Sequence, residues 1–162
     1  MAPPGPRVRF LCDAMLGGLA KWLRAAGYDA YYAREGTDVS DRTLTAKALH
    51  EGRVLLTSDG DFLERKPVRD GSVGFLLVPH LPLEDQLRLV AKHFGLVRYQ
   101  SRCMVCSGKL GIVSREVVED LVPPGVVRDH ESFFLCQNCG RVFWHGSHWQ
   151  RISGRLERVF ES

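Results

Sequence analysis

Cys103-Met-Val-Cys106 and Cys136-Gln-Asn-Cys139 are two CxxC pairs with 29 residues between them. Each pair offers two thiolates from one tight knuckle, and two knuckles brought together make a tetrahedral four-sulfur site. Small turn residues follow both, Ser107-Gly108 and Gly140, and glycine there lets backbone amides turn toward the sulfurs. The competitors are a thioredoxin-type redox pair, which needs only one CxxC, and an iron–sulfur cluster. The segment holding the pairs is too small to fold on an apolar core alone, so the spacing favours structural zinc (Zn2+). Cys12 is left over in an apolar run and reads as a buried small hydrophobe.

Ahead of the cysteines, strand-like and helix-like patterns alternate. Val8–Cys12, Asp29–Ala33, Arg53–Thr57 and Ser72–Val78 read as strands. Leu16, Leu19, Ala20, Leu23 and Ala26 recur at helical spacing with Lys21 and Arg24 turned outward, and Gly27 stops that helix. Further helices are expected over Ser40–His50 and Pro82–Phe94. The order β-α-β-α-β-(short α)-β-α predicts an α/β fold with a three-layer parallel sheet. The character changes near residue 98, which divides the chain into an α/β domain over 1–98 and a cysteine-bearing module with a terminal helix over 99–162.

In such a sheet the strand ends gather chemistry at one edge. Asp13 follows the first strand, Asp59 and Asp61 follow the third, and Asp38 and Asp41 precede the second helix. Taken singly, each is a common helix cap or turn former. Together they repel one another and call for a hard cation such as Mg2+ or Mn2+, which suits phosphodiester hydrolysis.

The net charge is only +3, from 22 Lys and Arg against 19 Asp and Glu, which permits nucleic-acid binding without announcing it. The tail says more: Arg141, Arg151, Arg155, Arg158, His145 and His148 surround Phe143, Trp144 and Trp149, against Glu157 and Glu161. Such a surface suits single-stranded RNA. With four cysteines in place, His145 and His148 are read as binding or packing groups rather than ligands. Trp144 is expected to pack the module against the α/β domain, while for Trp149 packing and base stacking stay level. Lys21 and Arg24 are phosphate contacts or solvated surface charges on equal terms. Met1–Pro6 is Pro/Gly-rich with no apolar run after it, so neither a signal peptide nor a membrane span is expected, and the expected location is cytoplasmic.

Three stretches carry a resemblance. FLCDAMLGGLAKWLRAAGYD (Phe10–Asp29), GRVLLTSD (Gly52–Asp59), and the cysteine knuckles with VFWHGSHW (Val142–Trp149) closely resemble, in order, the motifs of the Mut7-C family of RNases. The resemblance implies a PIN-like fold followed by a zinc ribbon, and metal-dependent endoribonuclease activity leaving a 5′-phosphate and a 3′-hydroxyl. It makes Asp13, Asp38, Asp59 and Asp61 the acidic ligands, with Asp41 a weaker candidate whose alternative is simply to cap the helix. Ser58 stands where a basic residue is expected. PIN-like domains often pair, so a homodimer is open. The rival readings are a non-catalytic RNA- or ribosome-binding zinc-ribbon protein, a toxin-type PIN ribonuclease, and a phosphohydrolase for small molecules.

Overall fold

Apolar runs with no polar side leave a strand no face to offer water, and they belong in the middle of a sheet covered on both sides. A computed structural model describes residues 8–161 and places two such runs there; Met1–Pro6 lies outside the described residues. Strand β1 (Phe10–Cys12) runs parallel between β2 (Ala30–Tyr32) and β3 (Val54–Thr57), and β3 pairs in parallel with β4 (Phe75–Leu77). The order is β2-β1-β3-β4. Phe10, Leu11, Cys12, Leu55 and Leu56 are wholly buried.

Two apolar cores cover the two faces. On one, helix α1 (Gly17–Ala25) and helix α4 (Leu83–Phe94) bring Leu19, Leu23, Leu87 and Val90 onto Phe10 and Leu56. On the other, helix α2 (Asp41–Glu51), the 3-10 turn Gly60–Glu64 and the short α3 (Lys66–Arg69) bring Leu44, Ala48, Phe62 and Val68 onto Leu11 and Leu55. The expected helices are therefore present, with ends shifted by a residue or two. α1 stops at Ala25, and Gly27 then takes φ +99°, where a Cβ would lie 2.6 Å from that of Tyr99.

Beyond these, β5 (Leu110–Ser114), β6 (Ser132–Cys136) and β7 (Val142–Phe143) form an antiparallel sheet in that order. Helices α5 (Arg115–Val118) and α6 (Pro124–Asp129), absent from the sequence expectation, lie in the β5–β6 connection. A small core of Val118, Val122 and Phe133 holds them, with Trp144 against it. Trp144 thus packs within this module rather than on the α/β domain. The last helix, α7 (Ser147–Phe160), lays Ile152, Leu156 and Val159 into the core shared by α1 and α4. Among the described residues no helix is long and apolar enough to cross a membrane.

Candidate active site and metal centre

The chain leaves β1 toward β2 on one face and reaches β3 across the other, so the sheet order reverses between β1 and β3. In open α/β sheets ligands bind in the crevice outside the C-terminal strand ends at such a reversal. Asp13 follows β1 there, and its amide donates to the Leu56 carbonyl of β3 at 3.1 Å. Asp13 is only 5% exposed, and a buried carboxylate needs donors. It receives the Met15 amide at 3.0 Å and the hydroxyl of the fully buried Thr57. The same Thr57 hydroxyl accepts the Asp59 amide at 2.9 Å. Thr57 therefore ties the two acidic strand ends together. Sequence reasoning missed it because it reads as the last residue of an apolar strand; the available signal was a polar side chain directly before an acidic turn.

The other carboxylates divide differently from expectation. Asp38 is exposed and committed to the entry of α2, accepting the Ser40 amide at 2.9 Å and the Thr43 hydroxyl at 2.6 Å. Hydrogen bonds from Thr43 and then Ser40 hold its carboxyl below the usual range. Asp41, in the first turn of α2, is half-buried. Burial pushes its carboxyl up, and so do the charges of Asp59, Asp61 and Asp13, while Arg65 opposes them. Asp41 is thus the α2 carboxylate that feels the acidic edge, while Ser40 is the N-cap of α2, accepting the Thr43 amide at 3.3 Å, and Asp38 braces that cap. Asp59 also orders its own turn, accepting the Asp61 amide at 2.9 Å, and Asp61 is exposed.

The four cysteines converge as their spacing predicts. Their sulfurs all lie within 4.8 Å of one another, the one such cluster of potential ligands among the described residues. Cys103 Sγ is 3.7 Å from Cys139 Sγ, and Cys106 Sγ is 3.5 Å from Cys136 Sγ. Tetrahedral sulfurs about 2.3 Å from a zinc ion stand about 3.8 Å apart, so the cage fits that ion. The amides of Gly108, Asn138 and Cys139 each approach a cysteine sulfur at 3.4 Å. These are the donors that thiolate ligands require. A Cβ on Gly108 would come within 2.8 Å of Cys136 Sγ. Burial resists ionisation of Cys106, but hydrogen bonds from the Asn138 side chain and the Gly108 amide outweigh it and bring the thiol down to about 6. Cys12, by contrast, is wholly buried, and burial pushes its thiol far up.

The first knuckle is fastened to the α/β sheet by a residue expected to face solvent. Arg24 is 3% exposed. Its guanidinium donates to the Ala30 carbonyl at 2.9 Å, to the Met104 and Val105 carbonyls at 3.1 and 3.3 Å, and to Glu35 at 2.6 Å. A planar fork with several fixed donors is suited to gathering carbonyls from separate segments. The outward position expected for Arg24 is therefore corrected: with its donors turned inward it has no surface left for phosphate. Lys21 does lie on the exposed face of α1. Ser107 adds a second tie, accepting the Ala30 amide at 3.0 Å and donating to Asp29 at 3.2 Å. It does so from φ +71°, unusual for a residue with a Cβ.

Near the start of α7 the rings of Phe134, His145 and Trp149 form a stacked column with centroid spacings of 4.8 and 5.4 Å. Trp149 also packs against the α1/α4 core. Arg141 and His148 are exposed.

The exonuclease mut-7 homolog of Homo sapiens is 24% identical to the chain over 235 residues, covering 98% of the chain but 27% of the human protein. The chain thus spans about a quarter of that relative's length. The model of the Mut7-C RNAse domain matches residues 8–156, which takes in the parallel sheet, the acidic edge and all four cysteines. The chain belongs to the Mut7-C RNAse domain family.

Proposed function

We propose that the chain is a metal-dependent endoribonuclease with a PIN-like α/β domain and a structural zinc ribbon. The observation that carries this reading is the pair of acidic strand ends, Asp13 and Asp59, joined through Thr57 where the sheet order reverses between β1 and β3. Hard oxygen donors at one sheet edge suit Mg2+ or Mn2+. Asp13 and Asp59 would hold the ion, with Asp41 and Asp61 drawn in by its charge, while Asp38 is less available because its oxygens brace Ser40 and Thr43 at the entry of α2. Such an ion supplies water activation at neutral pH and offsets charge building on a phosphodiester. The chain's own contribution is orientation: Thr57 fixes the rotamer of Asp13, and the Asp61 amide fixes that of Asp59. Arg34, tethered through Nε to the Ala14 carbonyl at 3.3 Å, puts positive charge beside the Asp13 loop for a substrate phosphate.

Zinc would sit in the Cys103, Cys106, Cys136, Cys139 cage. Arg141, His145, His148 and Trp149 beside it would grip single-stranded RNA, with Lys21 available on α1. A cytoplasmic location fits cysteines that serve as metal ligands rather than disulfides.

The human relative's name says exonuclease, so the substrate that decides the mode is a circular single-stranded RNA with Mn2+. An endonuclease linearises it, leaving 5′-phosphate and 3′-hydroxyl ends. Activity on linear RNA with the circle left whole would instead favour an exonuclease. One observation favours a second reading, a non-catalytic RNA-binding module: both oxygens of Asp13 already accept hydrogen bonds. That reading expects RNA to be bound and neither form to be cut.

A further inference from the structure

A cavity of about 400 Å³ lies at the seam between the cysteine-bearing sheet and the start of α7. Its wall is aromatic, with Phe134, Phe143, Trp144 and Trp149 among the lining side chains, and none of the lining residues is acidic. The volume falls in the range of small-molecule sites, roughly 300–1,000 Å³. The Phe134–His145–Trp149 column stands at its side with interplanar angles of 24° and 16°, and Arg98 extends it over the Trp149 ring at 5.9 Å.

The opposite requirement, a place for negative charge, is met at the same cavity. Arg102 lines it with only its Nε engaged, on the Ser107 carbonyl at 2.6 Å, and among the described residues it pairs with no carboxylate. Gly146, Ser147 and His148 also line it, and there α7 begins with no side-chain cap and no acidic residue in its first turn. The first amides of a helix have no partner inside it and favour an anion. An apolar peptide side chain would fill the aromatic part and leave these groups unused. A planar π-system carrying a phosphate uses both.

We propose that this cavity binds one unstacked nucleotide of single-stranded RNA, its base against the aromatic wall and its phosphate between Arg102 and the start of α7. The inference rests on RNA being the substrate and adds where the strand is held outside the acidic crevice.

The test uses the full chain, loaded with zinc and carrying Asp13→Asn and Asp59→Asn so that RNA stays whole. A short fluorescent oligoribonucleotide containing photoreactive thiouridine reports affinity by anisotropy and position by cross-link mapping. Cross-links should fall within 142–149. Trp149→Leu keeps apolar contact with the core but dismantles the Phe134–His145–Trp149 column beside the base, and should weaken binding about tenfold; Trp149→Phe, which can still stack on His145, should restore most of it. His148→Glu should weaken binding while raising the melting midpoint, since an acid in the first turn suits the helix but repels phosphate. A merely structural role for these residues would move both readouts the same way. Cross-links elsewhere, or unchanged affinity in Trp149→Leu, would overturn the proposal. Failure of the folded protein to bind the oligonucleotide would also overturn it and leave the groove to a protein side chain. Cutting by the unsubstituted chain is measured in parallel. Cutting without cross-links at 142–149 sinks the pocket and spares the nuclease; cross-links there without cutting do the reverse.

Discussion

A single hydroxyl decides how the acidic edge is built. Thr57 donates to Asp13 and accepts from the Asp59 amide, so Thr57→Val keeps the shape while orphaning a donor and a buried acceptor. Its expected cost is about 1–3 kcal/mol, read by urea denaturation, together with lower cleavage from a misoriented Asp13. Asp41 makes the contrasting case. Its carboxyl is raised, so the folded state holds that proton more tightly than the unfolded chain does. The favourable contribution is full below the unfolded pKa and lost as pH rises through the folded one, leaving the ionised group a liability at neutral pH. Asp41→Asn should therefore raise stability at neutral pH, with little effect in acid, and lower cleavage. Asp38→Asn should do neither; it should weaken the α2 cap and spare the chemistry. Parallel melts and cleavage assays of the two variants check this, and equal loss of cleavage in both would restore Asp38 to the ligand set.

At the scale of elements, the parallel sheet was legible because unbroken apolar runs such as Val54–Leu56 fit few other environments. The cysteine cage was legible from spacing alone, and the stop of α1 near Gly27 from its glycine. Contacts between distant segments were not. Arg24 sits on a helix whose neighbours suggest an outward face, and its partners Met104 and Val105 lie 80 and 81 residues away. The choice between Asp38 and Asp41 depended on how the backbone enters α2, which composition does not encode. Helices α5 and α6 are short and broken by Pro123-Pro124-Gly125, leaving no periodicity to read. Arg24→Met tests the strut. Removing a buried guanidinium that holds three backbone carbonyls should cost about 3 kcal/mol through the acceptors it orphans, with weaker zinc retention, whereas a phosphate contact would lose RNA affinity and leave stability alone. Denaturation with zinc content measured alongside separates the two.

Across the whole molecule, the metal cage and the acidic crevice share one scaffold. The first knuckle hangs on α1 and β2 through Arg24 and Ser107, and α7 returns from the second knuckle into the α1/α4 core. A ligand that binds only the folded state stabilises whatever folds with it. Stripping zinc with a chelator should lower the melting midpoint of the α/β domain itself in one transition, rather than uncover a separate low-temperature melt of the cysteine module. Circular dichroism with and without chelator reads this directly. The central claim, that the carboxylates at the β1/β3 crevice cut RNA, is tested most directly by incubating labelled single-stranded RNA with Mn2+ and either the native chain or the Asp13→Asn, Asp59→Asn double variant, at matched folding and zinc content. The account predicts cleavage by the native chain that the double variant lacks while still binding the RNA. Equal cleavage by both, or binding without cleavage by both, would contradict it.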